Sequence, residues 1–148
     1  MLKGINPLLN AHVLYALRAM GYGDDLIIAG ANFPAKSIAT KTILGKVIKI
    51  DASASEVIKA ILSVYPIDTY SKDSIARMEV DGEPNTILPV MNEVQSEITA
   101  VGVPIKMSAM IRLEFYERAK KAYAVIQTSE RRFYSGFAIR KGVVGTNI

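Results

Sequence analysis

The sequence predicts a single α/β domain over residues 1–148, with a largely parallel sheet and helices on both of its faces. Two observations support this prediction. Short apolar runs alternate along the chain with helical patterns, which is the order expected when helices connect parallel strands. One run, Leu26–Ala29, is apolar at every position, and such a strand is typical of a sheet buried on both faces. No repeat or linker indicates a second domain.

Helix-start signals organise the N-terminal half. Asn10 is a favoured N-cap residue, and Ser53 with Glu56 forms a capping box, so a helix is predicted after each. The first helix presents an apolar face made of Val13, Leu14, Leu17 and Met20. The predicted elements are a helix from Asn10 to before Gly21, strands at Leu26–Ala29 and Val47–Ile50, and a helix from Ser53 to before Pro66.

The C-terminal half is predicted to hold three strands and two helices. The alternation in Ile75–Val80, ahead of the Asp81-Gly82 turn, predicts a half-buried strand. Pro89 suits the first turn of a helix that ends at Gly102. In the next helix the charged positions leave Leu113, Phe115, Tyr116 and Ala119 to face the protein. The remaining elements are that helix, at about Ile111–Lys121, and strands at Tyr123–Gln127 and Phe137–Arg140.

The composition limits the cellular location and the kinds of catalytic and metal site that we expect. The chain has no cysteine, which excludes disulfides and thiolate chemistry and predicts a reducing, cytoplasmic location. No stretch approaches the ~20 apolar residues of a membrane span, and Met1–Lys3 is not followed by the apolar run of a secretory signal. The single histidine argues against a histidine-based metal site, although carboxylates remain available to a hard cation.

The net charge of +4 and the isoelectric point near 9.3 raise the question of nucleic acid. The basic residues occur in separated pairs, with acidic residues between them, and no nucleic-acid-binding motif is present. We therefore expect a solvated basic surface and no nucleic-acid partner. The pairs are Lys120-Lys121, Arg131-Arg132 and Arg140-Lys141.

Common catalytic motifs are missing. The chain has no phosphate-binding loop and no Gly-x-Ser-x-Gly, and Gly21-x-Gly23 follows a helix, which is the wrong context for a dinucleotide. A serine hydrolase would need a histidine beside its serine, but the only histidine is His12. His12 lies in the first turn of an amphipathic helix, so we expect it at the surface or partly packed.

Several separated segments resemble one family. Gly21-Tyr22-Gly23-Asp24-Asp25, followed by Ala31-Asn32-Phe33-Pro34, is similar to the signature Gly-His-Gly-Asp-Glu…Ala-Asp-Ala-Asn-Phe-Pro of the D-ribose pyranase / L-fucose mutarotase family. The resemblance covers nearly the whole chain and is weakest through residues 75–110. The Phe115–Ala119 segment favours the fucose branch. Further similar segments are Met1–Leu9, Pro66–Tyr70, Arg112–Ala124, Tyr134–Gly136 and Lys141–Val143.

The resemblance implies an isomerase without metal or cofactor that interconverts the anomers or ring forms of a fucose- or ribose-like monosaccharide by general acid/base proton transfer. It implies substrate-binding roles for Arg112, Tyr134, Asp24, Asn32 and Tyr116. Other roles fit the same residues. Asp24 and Asn32 are common in turns, Arg112 suits a helix N-terminus at the surface, and Tyr116 suits the core.

Three positions depart from the family pattern. Tyr22 stands where the family has its catalytic histidine, Gly30 where it has a ligand-binding aspartate, and Gly136 where it has an asparagine. Tyrosine, with an ordinary pKa of about 10, is a weaker proton shuttle than histidine at neutral pH. Tyr22 is therefore the candidate catalytic residue, or an aromatic packed on the glycine turn. The departures leave open a second hypothesis, a sugar-binding or regulatory protein that has lost isomerase activity.

The resemblance also implies an oligomer, a ring of five subunits or two such rings stacked. Family members place their sites near subunit boundaries, so we expect that Tyr22 and Tyr134 meet across different chains.

Overall fold

The computed structural model describes residues 1–146, which form five helices and a six-stranded sheet. The helices are α1 (Ala11–Ala19), α2 (Ala35–Ala39), α3 (Ala54–Leu62), α4 (Pro89–Ala100) and α5 (Arg112–Lys120). The strands are β1 (Asp25–Ala29), β2 (Ile48–Ile50), β3 (Ile75–Met78), β4 (Ser108–Met110), β5 (Ala124–Thr128) and β6 (Phe137–Arg140).

The sheet is mixed and mostly parallel, with the strand order β2-β5-β1-β6-β3-β4. β5 pairs in parallel with β1 and β2, and β3 pairs in parallel with β4, whereas β6 runs antiparallel to its neighbours β1 and β3. The carboxyl ends of β1, β3, β4 and β5 therefore lie at one edge of the sheet, together with the start of β6. The predicted α/β class is confirmed.

Strand β1 is buried on both faces, as its apolar sequence predicts. Leu26 and Ile28 belong to a core that α1, α3 and α4 cover, whereas Ile27 belongs to a second core on the opposite face under α2 and α5. The residues alternate because successive side chains of a strand point to opposite faces of the sheet. The chain thus forms three layers, with β1 at the centre.

Two N-caps act as predicted. The Asn10 side chain accepts a hydrogen bond from the backbone N–H of Val13 at 3.0 Å, and the Ser53 hydroxyl accepts one from that of Glu56 at 3.4 Å. Each bond satisfies a backbone donor that the first turn of a helix leaves without a partner.

Two elements, α2 and β4, are absent from the sequence prediction, because the five residues of α2 are too few to show periodicity and the Ser-Ala-Met sequence of β4 is not an apolar run. The half-buried alternation predicted for β3 is wrong, since all four of its residues are buried. Arg77, the charged residue of this strand, is buried, and its guanidinium donates a hydrogen bond to the Pro84 carbonyl at 2.7 Å. Burial of a polar side chain depends on such a partner, which the local sequence does not reveal.

Helix α5 is fixed to β1 by an ion pair. The guanidinium of Arg118 binds both oxygens of Asp25, at 2.8 and 3.0 Å, and Arg140 approaches the same carboxylate at 3.4 Å. The pair between Arg118 and Asp25 is mostly buried and holds α5 over the second core. Arg118 lies in the last turn of α5, so this contact fixes the C-terminal end of the helix, and Arg112 lies at the other end.

The face of α5 was predicted incorrectly at one position. Phe115 and Ala119 are buried and Tyr116 is half-buried, but Leu113 is 69% exposed. A helix turns by about 100° per residue, so Leu113 lies about 200° from Phe115, on the opposite side. Leu113 therefore belongs to neither hydrophobic core of this chain.

We expect Phe115→Ala to lower the free energy of unfolding by about 3–5 kcal/mol, because the Phe115 ring is fully buried in the second core. The matched control is Leu113→Ala on the exposed face of the same helix, with an expected change within about 0.5 kcal/mol. Urea unfolding at one fixed protein concentration measures both. Equal losses in the two variants would contradict the packing described for α5.

Candidate functional site

A cavity of about 240 Å³ opens at the sheet edge where β1, β3 and β4 end and β6 begins. The crevice beyond the carboxyl ends of parallel strands is where α/β proteins bind ligands. The volume is smaller than that of pockets for drug-sized molecules. Its lining combines aromatic, cationic and small residues: Gly30, Asn32, Phe33, Met78, Arg112, Tyr116, Arg132, Phe133, Tyr134, Ser135 and Gly136.

The cavity brings together four of the six residues singled out from the sequence. Arg112 is the first residue of α5, and Tyr116 lies one turn later on the same side of the helix. Asn32 belongs to the turn after β1, and Tyr134 to the loop between β5 and β6. Residues about 80 positions apart therefore share one site.

Tyr134 has a strained backbone in the left-handed region, with φ of 58°. This conformation is uncommon outside glycine and persists only where the surrounding structure enforces it. The Tyr134 hydroxyl accepts a hydrogen bond from the backbone N–H of Asp81 at 3.3 Å. The hydroxyl proton of Tyr134 thus remains free to be donated to a ligand.

An ion-pair network holds the loop that carries Tyr134. The Arg132 guanidinium binds the Glu130 carboxylate at 2.9 and 3.0 Å and the Glu93 carboxylate of α4 at 2.6 and 3.0 Å. Glu130 also accepts a hydrogen bond from the backbone N–H of Ala54 at the start of α3, at 3.3 Å. The loop is therefore anchored to two helices.

This network shifts the pKa of Glu130. Hydrogen bonds from Arg132 lower that pKa to about 2, with a smaller contribution from the backbone of Ala54 and in spite of burial, which acts in the opposite direction. The carboxylate is thus ionised throughout the physiological range. Arg132, whose charge is matched by Glu130 and Glu93, serves mainly to hold the loop.

Aromatic rings form the wall of the cavity. Phe33 packs edge-to-face on Phe115, with centroids 6.0 Å apart, and on Tyr116 at 5.4 Å. Phe133 is 74% exposed at the cavity mouth. Aromatic faces offer apolar contact to the C–H groups of a ligand, while Arg112 and Tyr134 offer hydrogen-bond donors.

The structure places the remaining two candidates elsewhere. Asp24 accepts a hydrogen bond from the backbone N–H of Gly21 at 2.8 Å and so serves the turn. Tyr22 is 56% exposed, in a groove with Arg18 and Lys141, at the other end of β1 from the cavity. At about 3.3 Å per residue, β1 separates the two ends by about 16 Å. Within one chain, Tyr22 therefore does not line the cavity.

Five lining residues were not identified from the sequence. Phe33 is part of the signature segment but was not assigned a role, and Arg132 was treated as solvated surface charge. A usable signal was present, because residues that follow strands in an α/β protein commonly line its site. The residues not identified are Phe33, Met78, Arg132, Phe133 and Ser135.

Comparison with known proteins shows close relatives over the full chain. The model of a family described as the RbsD / FucU transport protein family matches residues 3–144. Fucose mutarotase of Homo sapiens is 39% identical over 150 residues, with 99% of this chain and 96% of that protein covered.

Solved structures agree with this result. Protein Atu2016, for which sugar binding has been suggested, is 53% identical with a TM-score of 0.95, covering 98% of this chain and 97% of its own. The fucose mutarotase of Streptococcus pneumoniae, solved in complex with L-fucose, is 33% identical with a TM-score of 0.85 over 97% of this chain and 100% of its own.

The pKa of Glu130 predicts a specific acid sensitivity. Because the folded-state pKa is depressed from 4.5 to about 2, the ionised carboxylate stabilises the fold above about pH 5, and this contribution is lost as the pH falls toward 2. Glu130→Gln should lower the free energy of unfolding by about 1–3 kcal/mol at pH 7 and flatten its decline below pH 5.

Urea unfolding at pH values from 7 to 3 measures this effect. The control is Glu117→Gln, since Glu117 is an exposed carboxylate whose partner, Lys120, is also at the surface. The free energy of unfolding of Glu117→Gln should depend on pH in the same way as that of the unmodified protein. If the free energy of unfolding of Glu130→Gln falls at low pH as steeply as that of the unmodified protein, another group causes the acid sensitivity.

Proposed function

We propose that this chain, which belongs to the RbsD / FucU transport protein family, binds a monosaccharide in the described cavity and interconverts its anomers. The observation that carries the proposal is the convergence of Arg112, Tyr134, Asn32 and Tyr116 on one small cavity. L-fucose is the first sugar to test, because relatives 33–39% identical to this chain are fucose mutarotases.

The lining suits a small neutral polyol. Arg112 makes no ion pair among residues 1–146, so its guanidinium is available to donate hydrogen bonds to sugar hydroxyls. The rings of Phe33 and Tyr116 contact the apolar face of a pyranose. The volume of about 240 Å³ lies below the range for drug-sized ligands, which suits a ligand the size of one sugar unit.

Anomer exchange requires two proton transfers. A base takes the proton of the anomeric hydroxyl while an acid protonates the ring oxygen, the bond between the anomeric carbon and the ring oxygen breaks, and an open-chain aldehyde forms. Rotation about the next carbon–carbon bond followed by the reverse transfers closes the ring as the other anomer. We assign the role of proton donor to Tyr134, and this is supported by the Asp81 contact, which leaves the Tyr134 proton unused.

We propose that Tyr22 completes the site of a second copy. Tyr22 lies at the opposite end of β1 from the cavity of its own chain, and exposed apolar side chains occur near both places. Phe133 lies at the cavity, and Tyr22 and Val144 line the groove at the other end of β1. Large exposed apolar groups are typical of subunit contacts. A ring of five, single or stacked, and a cytoplasmic location are part of the proposal.

One observation favours an alternative, a sugar-binding protein without isomerase activity. Gly30 and Gly136 line the cavity without a polar side chain, and Tyr22 stands in place of the family's histidine. The two candidate functions differ only in whether bound sugar exchanges its anomers.

No helix among residues 1–146 has the length and apolar character needed to span a bilayer.

Two-dimensional exchange NMR of L-fucose at equilibrium tests the proposal. Added protein should produce exchange cross-peaks between the anomers, and Arg112→Ala should weaken sugar binding by about 10- to 100-fold because a charged donor is lost. The control is Arg131→Ala, because Arg131 is an exposed arginine between β5 and β6 that does not line the cavity. Binding without exchange would favour the alternative, and no binding of any monosaccharide would reject both.

Mixing two inactive variants tests whether the site is shared between copies. Tyr22→Phe and Arg112→Ala should each abolish exchange. After unfolding and refolding together in equal amounts, about one quarter of the sites should carry both intact residues, if each site takes one residue from each of two copies. Exchange that stays absent in the mixture, although both variants refold and assemble, would reject a site shared between two copies.

A further inference from the structure

Gly30 and Ser135 compete for one small volume at the floor of the cavity. A Cβ added to Gly30 would lie 2.1 Å from the Ser135 Oγ, 3.3 Å from the Ser135 Cβ and 3.1 Å from the Glu130 carbonyl oxygen. Non-bonded carbon and oxygen atoms do not approach to 2.1 Å. Position 30 can therefore carry a Cβ only if the Ser135 hydroxyl leaves its present position.

The glycine is not required by its backbone conformation. The positive-φ glycines are Gly4, Gly23, Gly45, Gly82 and Gly102, and Gly30 is not among them. Alanine would be allowed at position 30 by its φ angle. The restriction at this position is therefore the neighbouring Ser135 hydroxyl and not strain in the chain.

The Ser135 hydroxyl has a defined hydrogen-bond state. It donates its proton to the carbonyl oxygen of Arg132 at 2.8 Å, so the loop fixes its rotamer. A hydroxyl oxygen has two lone pairs, and the described contacts of Ser135 use its proton and neither lone pair. Since Ser135 lines the cavity, its oxygen can accept a hydrogen bond from a ligand.

We propose that Ser135 is a specificity-determining residue, which takes the place of a side chain at position 30 and accepts a hydrogen bond from one hydroxyl of the bound sugar. This inference rests on the proposed function. A free lone pair needs a donor as its partner, so the floor of the cavity favours a sugar that carries a hydroxyl at that position. Rotation of the side chain to accommodate a bulkier residue 30 would break the bond to Arg132.

A stability cycle tests the steric part without any ligand. Gly30→Ala should lower the melting temperature by roughly 3 to 10 °C, because the Ser135 hydroxyl must leave its position. The same substitution should have a clearly smaller effect in a Ser135→Ala background, where the Oγ is gone. Equal shifts in the two backgrounds would overturn the competition between the two positions.

Sugar titrations followed by NMR test the ligand contact. Ser135→Ala should weaken L-fucose binding by about three- to tenfold, the loss expected for one hydrogen bond. In a series of monodeoxy analogues, one should bind the unmodified protein more weakly than L-fucose, yet bind Ser135→Ala as well as L-fucose does. Additive losses for every analogue would overturn the proposed contact.

Ser63→Ala is the control for the lost intramolecular bond. Ser63 also donates to the carbonyl three residues earlier, that of Ala60, at 2.6 Å, but lies outside the cavity. It should leave sugar binding unchanged. If the unmodified protein binds no sugar, the proposed function and the ligand contact both fail, while the stability cycle still decides whether Gly30 and Ser135 compete.

Discussion

The carboxylate of Glu130 connects the parts of the chain that form the cavity. Its side chain binds Arg132 of the same loop and the backbone of Ala54 at the start of α3. Its carbonyl oxygen accepts a hydrogen bond from the N–H of Ala31 at 2.7 Å, which ties the loop to the turn after β1. Burying a charged group is unfavourable unless hydrogen bonds replace its water. Because Glu130 has these partners, its burial fixes two loops in one arrangement.

The loop conformation that results places Tyr134 and Ser135 side by side at the cavity. Tyr134 keeps a left-handed backbone, and Ser135 keeps its hydroxyl against the Cα of Gly30. A site held in place before the ligand arrives loses less conformational entropy on binding. The ordering is provided by Arg132, through its contacts to Glu130 and Glu93, and requires no contact from a ligand.

Of the two arginines that line the cavity, one is paired with carboxylates and the other is not. Arg132 is matched by two carboxylates, whereas Arg112 is not in an ion pair among the described residues, and the floor is formed by glycines and a serine. The combination of one available cation, neutral hydroxyls and aromatic walls fits a polar but uncharged ligand.

Much of the fold and part of the site could be read from the sequence. The caps at Asn10 and Ser53 and the buried strand β1 were predicted because these signals act within a few residues. Arg112 and Tyr134 were identified through a motif resemblance. Arg77, Leu113 and Arg132 were misjudged, because burial of a polar side chain, exposure of an apolar one and the pairing of a surface cation each depend on neighbours that are remote in sequence.

The sequence by itself determined the α/β class, the starts of the helices and a signature that groups this chain with its relatives, because each depends on local pattern. Only the tertiary structure decided which candidates meet. The sheet brings the turn after β1, the start of α5 and the loop before β6 to one edge, and it holds Tyr22 at the opposite end of β1. The physical reason is that strand direction and strand order, which are set by packing across the whole sheet, control the distance between residues far apart in the chain.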